Sequence, residues 1–138
     1  MQQCGIRDSI VWQRQMKQNQ LPAIYENADF FLLPTRYEIF GMVLLEAMYF
    51  GTAVLTTRNG GASMLIRNEE NGMVFDNCDA KVWAEWILSM SNKKEKLLEM
   101  QKQASATICD SFLWDTVCTA FEQVYKKLRK ENIPADEV

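Results

Sequence analysis

Histidine is absent from the 138 residues. That excludes a Ser-His-Asp or Cys-His nucleophile machine within the chain and removes the commonest side-chain ligand for zinc. The four cysteines, Cys4, Cys78, Cys109 and Cys118, never take Cys-x-x-Cys spacing, so neither a structural zinc motif nor a thioredoxin-like motif is expected. Cys109 and Cys118 fall in helical stretches, where buried reduced thiols are expected. A basic excess is missing too: the net charge is −3, and no nucleic-acid partner is expected. The basic cluster Lys126, Lys127, Arg129 and Lys130 closes an expected helix, where cations suit the dipole. Apolar runs such as Phe30-Phe31-Leu32-Leu33 and Met42-Val43-Leu44-Leu45 fall far short of the roughly 18 residues a membrane span needs. Residues 1–11 are too polar for a signal peptide, and a cytoplasmic location is expected. Neither an internal repeat nor a low-complexity segment occurs.

What is present is an ordinary globular composition, 48% hydrophobic and 24% charged, sufficient for one domain with a real core. Residues 9–12, Ser-Ile-Val-Trp, are strand formers. Leu21, Ile24 and Tyr25 take helical spacing. Phe30-Phe31-Leu32-Leu33 is an unbroken apolar run closed by Pro34, the pattern of a parallel strand buried on both faces. Residues 43–50 then read as a helix that Gly51 ends. Ala53-Val54-Leu55-Thr56 is the next strand, Asn59-Gly60-Gly61 a turn, residues 62–67 a short helix, and Asn71-Gly72 a turn into the strand Met73-Val74-Phe75.

From Asp79, a plausible N-cap, the chain turns helical. Trp83, Trp86, Ile87 and Met90 share one face; Asn92 is expected to cap the next helix, with Leu97, Met100, Ala104 and Ile108 inward. Trp114, Val117, Cys118, Phe121, Val124, Tyr125 and Leu128 form the cleanest amphipathic stripe and are expected in the core. Residues 1–130 are expected to form the domain and residues 131–138 a flexible tail. Alternating strands and helices with short connections predict an α/β fold with a parallel sheet.

In open α/β sheets ligands bind beyond the carboxyl ends of the strands. The strand that ends at Leu33 delivers Glu38-Ile39-Phe40-Gly41 to that edge. Gly41 lets the backbone approach a ligand. The amides of Gly41, Met42 and Val43 lack intrahelical acceptors, so an anion, most naturally a phosphate, is favoured there. Glu46, a turn further on, can accept from two vicinal hydroxyls, as of a ribose. Glu38 can reach a group on the other side of the phosphate. A nucleoside diphosphate carrying a sugar fits all three. Two glutamates at this spacing also arise by chance on surface helices, so the flanking pattern has to decide.

That pattern is Leu33-Pro34-Thr35-Arg36-Tyr37-Glu38-Ile39-Phe40-Gly41-Met42-Val43-Leu44-Leu45-Glu46-Ala47-Met48. It resembles the signature of the group 1 (family 4, glycogen-synthase-like) retaining glycosyltransferases. Leu21-Pro22-Ala23-Ile24-Tyr25 with Ala28-Asp29 resembles the helix before it. Gly51-Thr52-Ala53-Val54-Leu55-Thr56-Thr57 with Gly60-Gly61 resembles the strand and glycine loop after it. Asn71-Gly72-Met73-Val74-Phe75 and Phe112-Leu113-Trp114 follow in order.

The resemblance implies a Rossmann-like parallel sheet flanked by helices, part of the second, donor-binding domain of a GT-B fold, with a helical C-terminal part. It implies Glu38 as the catalytic-site carboxylate on donor hexose hydroxyls. The backbone at Phe40, Gly41, Met42 and Val43 would bind the distal phosphate and sugar, and Glu46 the ribose. It implies no metal and no cofactor beyond the nucleotide-diphosphate sugar, in keeping with the absent Asp-x-Asp. Transfer of a hexose to a glycan or lipid acceptor would go through a further N-terminal domain, in a cytoplasmic enzyme sometimes peripheral at the membrane.

The sequence also departs from the family. Ile39 and Met64 stand where Gly and Glu are frequent, and Arg14 stands near a usual Gly. Arg36 and Arg58 are read as solvated loop residues. Gly60-Gly61 is open between a site loop and a plain strand-to-helix turn.

The first two strands of that domain and their phosphate-neutralising Arg/Lys pair have no match here, so a donor-side fragment, inactive alone, is expected. In the order 3-2-1-4-5-6, their loss leaves residues 30–33 as an open apolar edge. That edge should recruit residues 9–12 or a second copy, giving a homodimer. A nucleotide-sugar isomerase or phosphorylase of the same fold, and a non-catalytic interaction module, are the competing readings.

Overall fold

The structure is a computed structural model that describes residues 5–132. Three strands, β1 (Phe30–Leu33), β2 (Ala53–Thr57) and β3 (Gly72–Phe75), lie in the order β1-β2-β3. Both pairings are parallel, with Phe30 opposite Ala53 and Val54 opposite Gly72. Parallel neighbours need crossovers, and helices supply them: α2 (Met42–Tyr49) between β1 and β2, and α3 (Gly60–Leu65) between β2 and β3. Ahead of β1 stands α1 (Leu21–Glu26). After β3 come α4 (Ala80–Ser91), α5 (Lys94–Ser111) and α6 (Trp114–Asn132). This is the expected α/β sheet flanked by helices with a helical C-terminal part. Among the described residues no helix is long and apolar enough to cross a membrane.

Every residue of β2 is buried, as a strand covered on both faces must be. Val54 packs with Tyr25, Leu44, Ala47, Met48 and Ile108 on one face, and Ala53 with Met90, Leu97 and Met100 on the other. Leu55, Phe75 and Trp83 form a further cluster, in which the rings of Phe75 and Trp83 stack at 4.6 Å. The four expected inward residues of α5 (Leu97, Met100, Ala104 and Ile108) are all buried, and α5 thereby serves both faces of the sheet. Asp79 caps α4 by accepting from the amides of Lys81 and Val82. Gly51 follows the end of α2 at φ 75°.

Five expectations fail, each for a physical reason. β1 is not buried on both faces: at the sheet edge it is only half-buried, and Leu32 is exposed. Residues 9–12 are no strand: Arg7–Ser9 is a 3-10 turn, and Val11 and Trp12 stand 83% and 75% exposed. A short apolar run becomes a strand only where a neighbour takes its hydrogen bonds, and among the described residues none pairs with it. Nor does it move to β1, which remains the sheet edge. Asn92 caps nothing at its side chain. It lies in the right-handed helical region with its amide on Leu88 O, so it ends α4, and Lys93 precedes α5. The stripe of α6 is not core: Trp114, Phe121, Tyr125 and Leu128 are 79%, 60%, 69% and 47% exposed. Amphipathicity shows that a helix has an apolar face and not what covers it. Finally, Cys109 is exposed and Cys118 half-buried, the former on the outer side of α5. Of the expected tail, residues 131 and 132 belong to α6, and residues 133–138 lie outside the described residues, as does Cys4.

Candidate functional site

The carboxyl end of β1 is tied down by its neighbour. Thr56 Oγ1 donates to Leu33 O at 2.9 Å, Thr57 Oγ1 donates to Thr35 O, and Thr35 Oγ1 donates to Tyr37 O at 3.0 Å. Beyond Tyr37 the loop lies on the first turn of α3. A Cβ added at Gly61 would stand 2.0 Å from Phe40 O, and one at Gly60 2.9 Å from Ile39 O. Asn59 holds that turn in place. Its Oδ1 accepts from the Ala62 amide at 2.9 Å and its Nδ2 donates to Thr57 O at 2.8 Å. The double glycine is therefore more than a turn between strand and helix: it is the floor on which the Glu38–Gly41 backbone rests.

Gly41 is the N-cap of α2 at φ 79°, in the left-handed region. Its carbonyl accepts from Leu44 N at 2.8 Å, and a Cβ there would meet Leu44 Cδ1 at 2.8 Å. Both backbone conformation and space thus demand glycine. Met42 and Val43 open the helix, so their amides have no acceptor within it. The third amide differs from expectation: Gly41 N donates to Glu38 Oε1 at 3.0 Å. A carboxylate three residues before a helix N-cap is well placed to take that bond, and the positive end of the helix dipole favours its charge. Glu38 is thereby drawn onto the helix end instead of standing free on the loop.

Glu46 lies one turn into α2 and is half-buried. Its Oε2 accepts from the hydroxyl of Tyr25 on α1 at 3.2 Å. Burial first, then the negative charge of Glu46 and the bond to it, push the Tyr25 phenol above its ordinary value. The phenol therefore stays protonated and donates. In the sequence Tyr25 stands in a helical spacing and in the segment that resembles the family's helix before the signature, with no role at the site. The available signal was its hydroxyl: a purely apolar position could hold Phe or Leu.

The structure thus brings Glu38, Gly41, Met42, Val43 and Glu46 to one helix end at the carboxyl rim of β1. The rim is open, with Ile39 73%, Met42 60% and Phe40 37% exposed. Phe40 contributes its carbonyl to the contact with Gly61. Arg36 and Arg58 line a neighbouring hollow of about 390 Å³ with Thr57, Asp76, Asn77 and Cys78. Arg58 is solvated, as read from the sequence, and the structure adds its pairing with Asp76 at 2.9 Å. Met64 is 67% exposed and supplies no carboxylate. A larger hollow of about 620 Å³ sits at the α4–α5 turn among exposed residues, none of them from the loops at the carboxyl ends of the strands. Among the described residues no three His, Cys, Asp or Glu side chains gather where a metal ion could be held.

Comparison with known proteins bears on this geometry. The family model described as "Glycosyl transferases group 1" matches residues 1–107. A D-inositol 3-phosphate glycosyltransferase of Xylanimonas cellulosilytica is 29% identical over 133 residues, 94% of this chain and 31% of that protein. An uncharacterized glycosyltransferase of Methanocaldococcus jannaschii is 32% identical over 127 residues, 90% of this chain and 32% of that one. Among solved structures, sucrose-phosphate synthase of Thermosynechococcus elongatus superposes with a TM-score of 0.82 at 25% identity, covering 95% of this chain and 33% of that one. HepE of Anabaena, solved in complex with UDP-glucose, gives a TM-score of 0.67 at 24% identity, covering 80% of this chain and 30% of HepE. The chain thus spans about a third of the length of the relatives it matches.

Proposed function

The chain belongs to the group 1 glycosyl transferases, and on that premise we propose that its α2 end binds the diphosphate and ribose of a nucleotide-diphosphate sugar for retaining transfer of a hexose. The observation that carries this is the pair Glu38 and Glu46, set either side of a glycine-capped helix N-terminus at the carboxyl end of a parallel strand. The amides of Met42 and Val43 take phosphate oxygens, favoured by the helix dipole. Glu46 accepts from the ribose hydroxyls. Glu38 exchanges partners: the phosphate replaces it at the Gly41 amide, and its carboxylate turns to hydroxyls of the hexose. Two anions competing for one amide make that exchange favourable only when the sugar supplies new donors.

The chemistry needs no protein nucleophile. Stabilising the departing diphosphate at a preorganised helix end and holding the acceptor in line provide the catalysis. The glycan or lipid acceptor is held by a part of the enzyme outside this rim. The family membership and the glycosyltransferase names of the relatives support the reading, and HepE with UDP-glucose makes a uridine donor the first probe.

Titration of the chain with UDP-, GDP- and ADP-sugars, followed through backbone amide resonances, tests the proposal. Saturable binding of at least one donor with the largest shifts at Met42 and Val43 is expected. No binding of any of the three, or shifts centred on another surface, would overturn it.

A further inference from the structure

We propose that Tyr25 is a positioning residue for this rim: its hydroxyl holds one oxygen of Glu46 so that the rest of the carboxylate faces a pair of vicinal hydroxyls, as on a ribose. The inference rests on the donor-binding reading above and adds to it the residue that orients the hydroxyl acceptor.

Three observations carry it. The first is that the ring of Tyr25 is clamped. It is 8% exposed, stacks on Phe50 at 6.0 Å and meets Phe31 edge-on at 5.7 Å. The second is that its backbone is clamped as well. Tyr25 O accepts from the buried Thr52 Oγ1 at 2.7 Å and from the Ala28 amide at 3.0 Å. Ring and backbone together fix where the hydroxyl emerges, through contacts with β1, the C-terminal end of α2 and Thr52 rather than through the Glu46 side chain. The third is that the hydroxyl has one use in this surrounding: it donates to Glu46 Oε2 at 3.2 Å.

The consequence follows from the freedom of the side chain it holds. A glutamate on a helix has three side-chain torsions, and ordering them on binding costs free energy that a preset carboxylate has already met. One donated hydrogen bond occupies one of about four lone-pair sites. Oε1 is left whole, enough for the two donors of a vicinal diol. A Phe at position 25 would fill the apolar contacts equally well, so the hydroxyl is the part of Tyr25 that packing leaves unexplained.

The test compares affinities for a nucleoside diphosphate and its 2′,3′-dideoxy counterpart, with UDP and dideoxy-UDP as the probes. They are measured by calorimetry on wild type, Tyr25→Phe, Glu46→Gln and the double variant. Wild type is expected to prefer the ribose form. Tyr25→Phe should reduce that preference about three- to tenfold, the range of an ordinary net hydrogen bond, because the hydroxyl acts only through the orientation of Glu46. It should leave the dideoxy affinity unchanged, and it should cause no further loss in the Glu46→Gln background. Because the preference is a ratio taken on one variant, a merely less stable fold does not move it. Equal weakening of both ligands by Tyr25→Phe, or an intact ribose preference, overturns the positioning role alone. A wild type without ribose preference, or Glu46→Gln that retains it, overturns the assignment of Glu46 and this inference with it.

Discussion

Replacing Gly61 by Ala sets two physical effects against each other with opposite signs. Gly61 is the second residue of α3 and buried. On helix propensity alone, Gly→Ala should stabilise by up to about 1 kcal/mol. Packing says the reverse. The new Cβ would stand 2.0 Å from Phe40 O and 2.5 Å from Phe40 C. The closest ordinary carbon–oxygen contacts lie near 3.3 Å, so the loop carbonyl must recede by about 1.3 Å. It cannot do so freely, because Thr57 Oγ1 holds Thr35 O and Leu44 hems in Gly41. Overpacking costs about 1–3 kcal/mol, and a displacement of a held backbone carbonyl by about 1.3 Å belongs to the upper part of that range, about 2–3 kcal/mol, so less the propensity gain the balance is a net loss of about 1–2 kcal/mol. At this chain length that is roughly 4–8 °C in Tm. Gly60→Ala is the internal control: its Cβ meets Ile39 O at 2.9 Å and the residue is exposed, so a shift of a few tenths of an ångström accommodates it. Thermal and urea melts of both variants decide the matter. A Gly61→Ala variant as stable as wild type or more so would refute the claim that α3 is the floor of the Glu38–Gly41 loop.

Two further predictions concern the scaffold. Asn71 is fully buried, with its Oδ1 on the Arg67 amide at 2.7 Å and its Nδ2 on Leu65 O and Thr107 Oγ1, each at 3.0 Å. Asn71→Ala strands those partners and should cost about 3 kcal/mol in urea denaturation; a loss under 1 kcal/mol would contradict the hub role. Glu69 pairs with Lys96 at 2.6 Å, and its hydrogen bond with Lys96, then the ammonium charge, lower its carboxyl below the ordinary 4.5. A folded value below the unfolded one means that the pair contributes above pH 4.5 and is lost as pH falls through the folded value. The Tm difference between wild type and Lys96→Met should therefore be present at neutral pH and close in acid. A difference independent of pH would assign the effect to something other than this pair. The group is exposed, so the difference should be small.

What the sequence shows and what it hides divide along physical lines. β1, β2, β3 and the end of α2 at Gly51 were legible because apolar runs, Pro34 and a glycine each report a local constraint. Asp79 was legible as a cap for the same reason. The inward face of α5 was legible because a 3.6-residue period names one side of a helix. Residues 9–12 and the α6 stripe misled because both judgements needed a partner, and composition says nothing about whether one is adjacent. The site divides in the same way. Glu38, Gly41 and Glu46 could be placed at one rim from spacing, but the bond from Gly41 N to Glu38 could not, since it depends on a side-chain rotamer. Neither could the contact of Gly61 with Phe40, since it joins segments twenty-odd residues apart across the sheet edge. Tyr25 was hidden by its own burial.

The most direct measurement is the affinity of the chain for a nucleotide-diphosphate sugar before and after Glu46→Gln, by calorimetry. A glutamate that accepts from ribose hydroxyls through a charged hydrogen bond predicts a loss of about 1–3 kcal/mol, roughly 5- to 150-fold in Kd, with the fold unchanged by circular dichroism. An unchanged Kd in the folded Glu46→Gln variant would remove Glu46 from the site and leave the α2 end without the acceptor on which the donor-binding account depends.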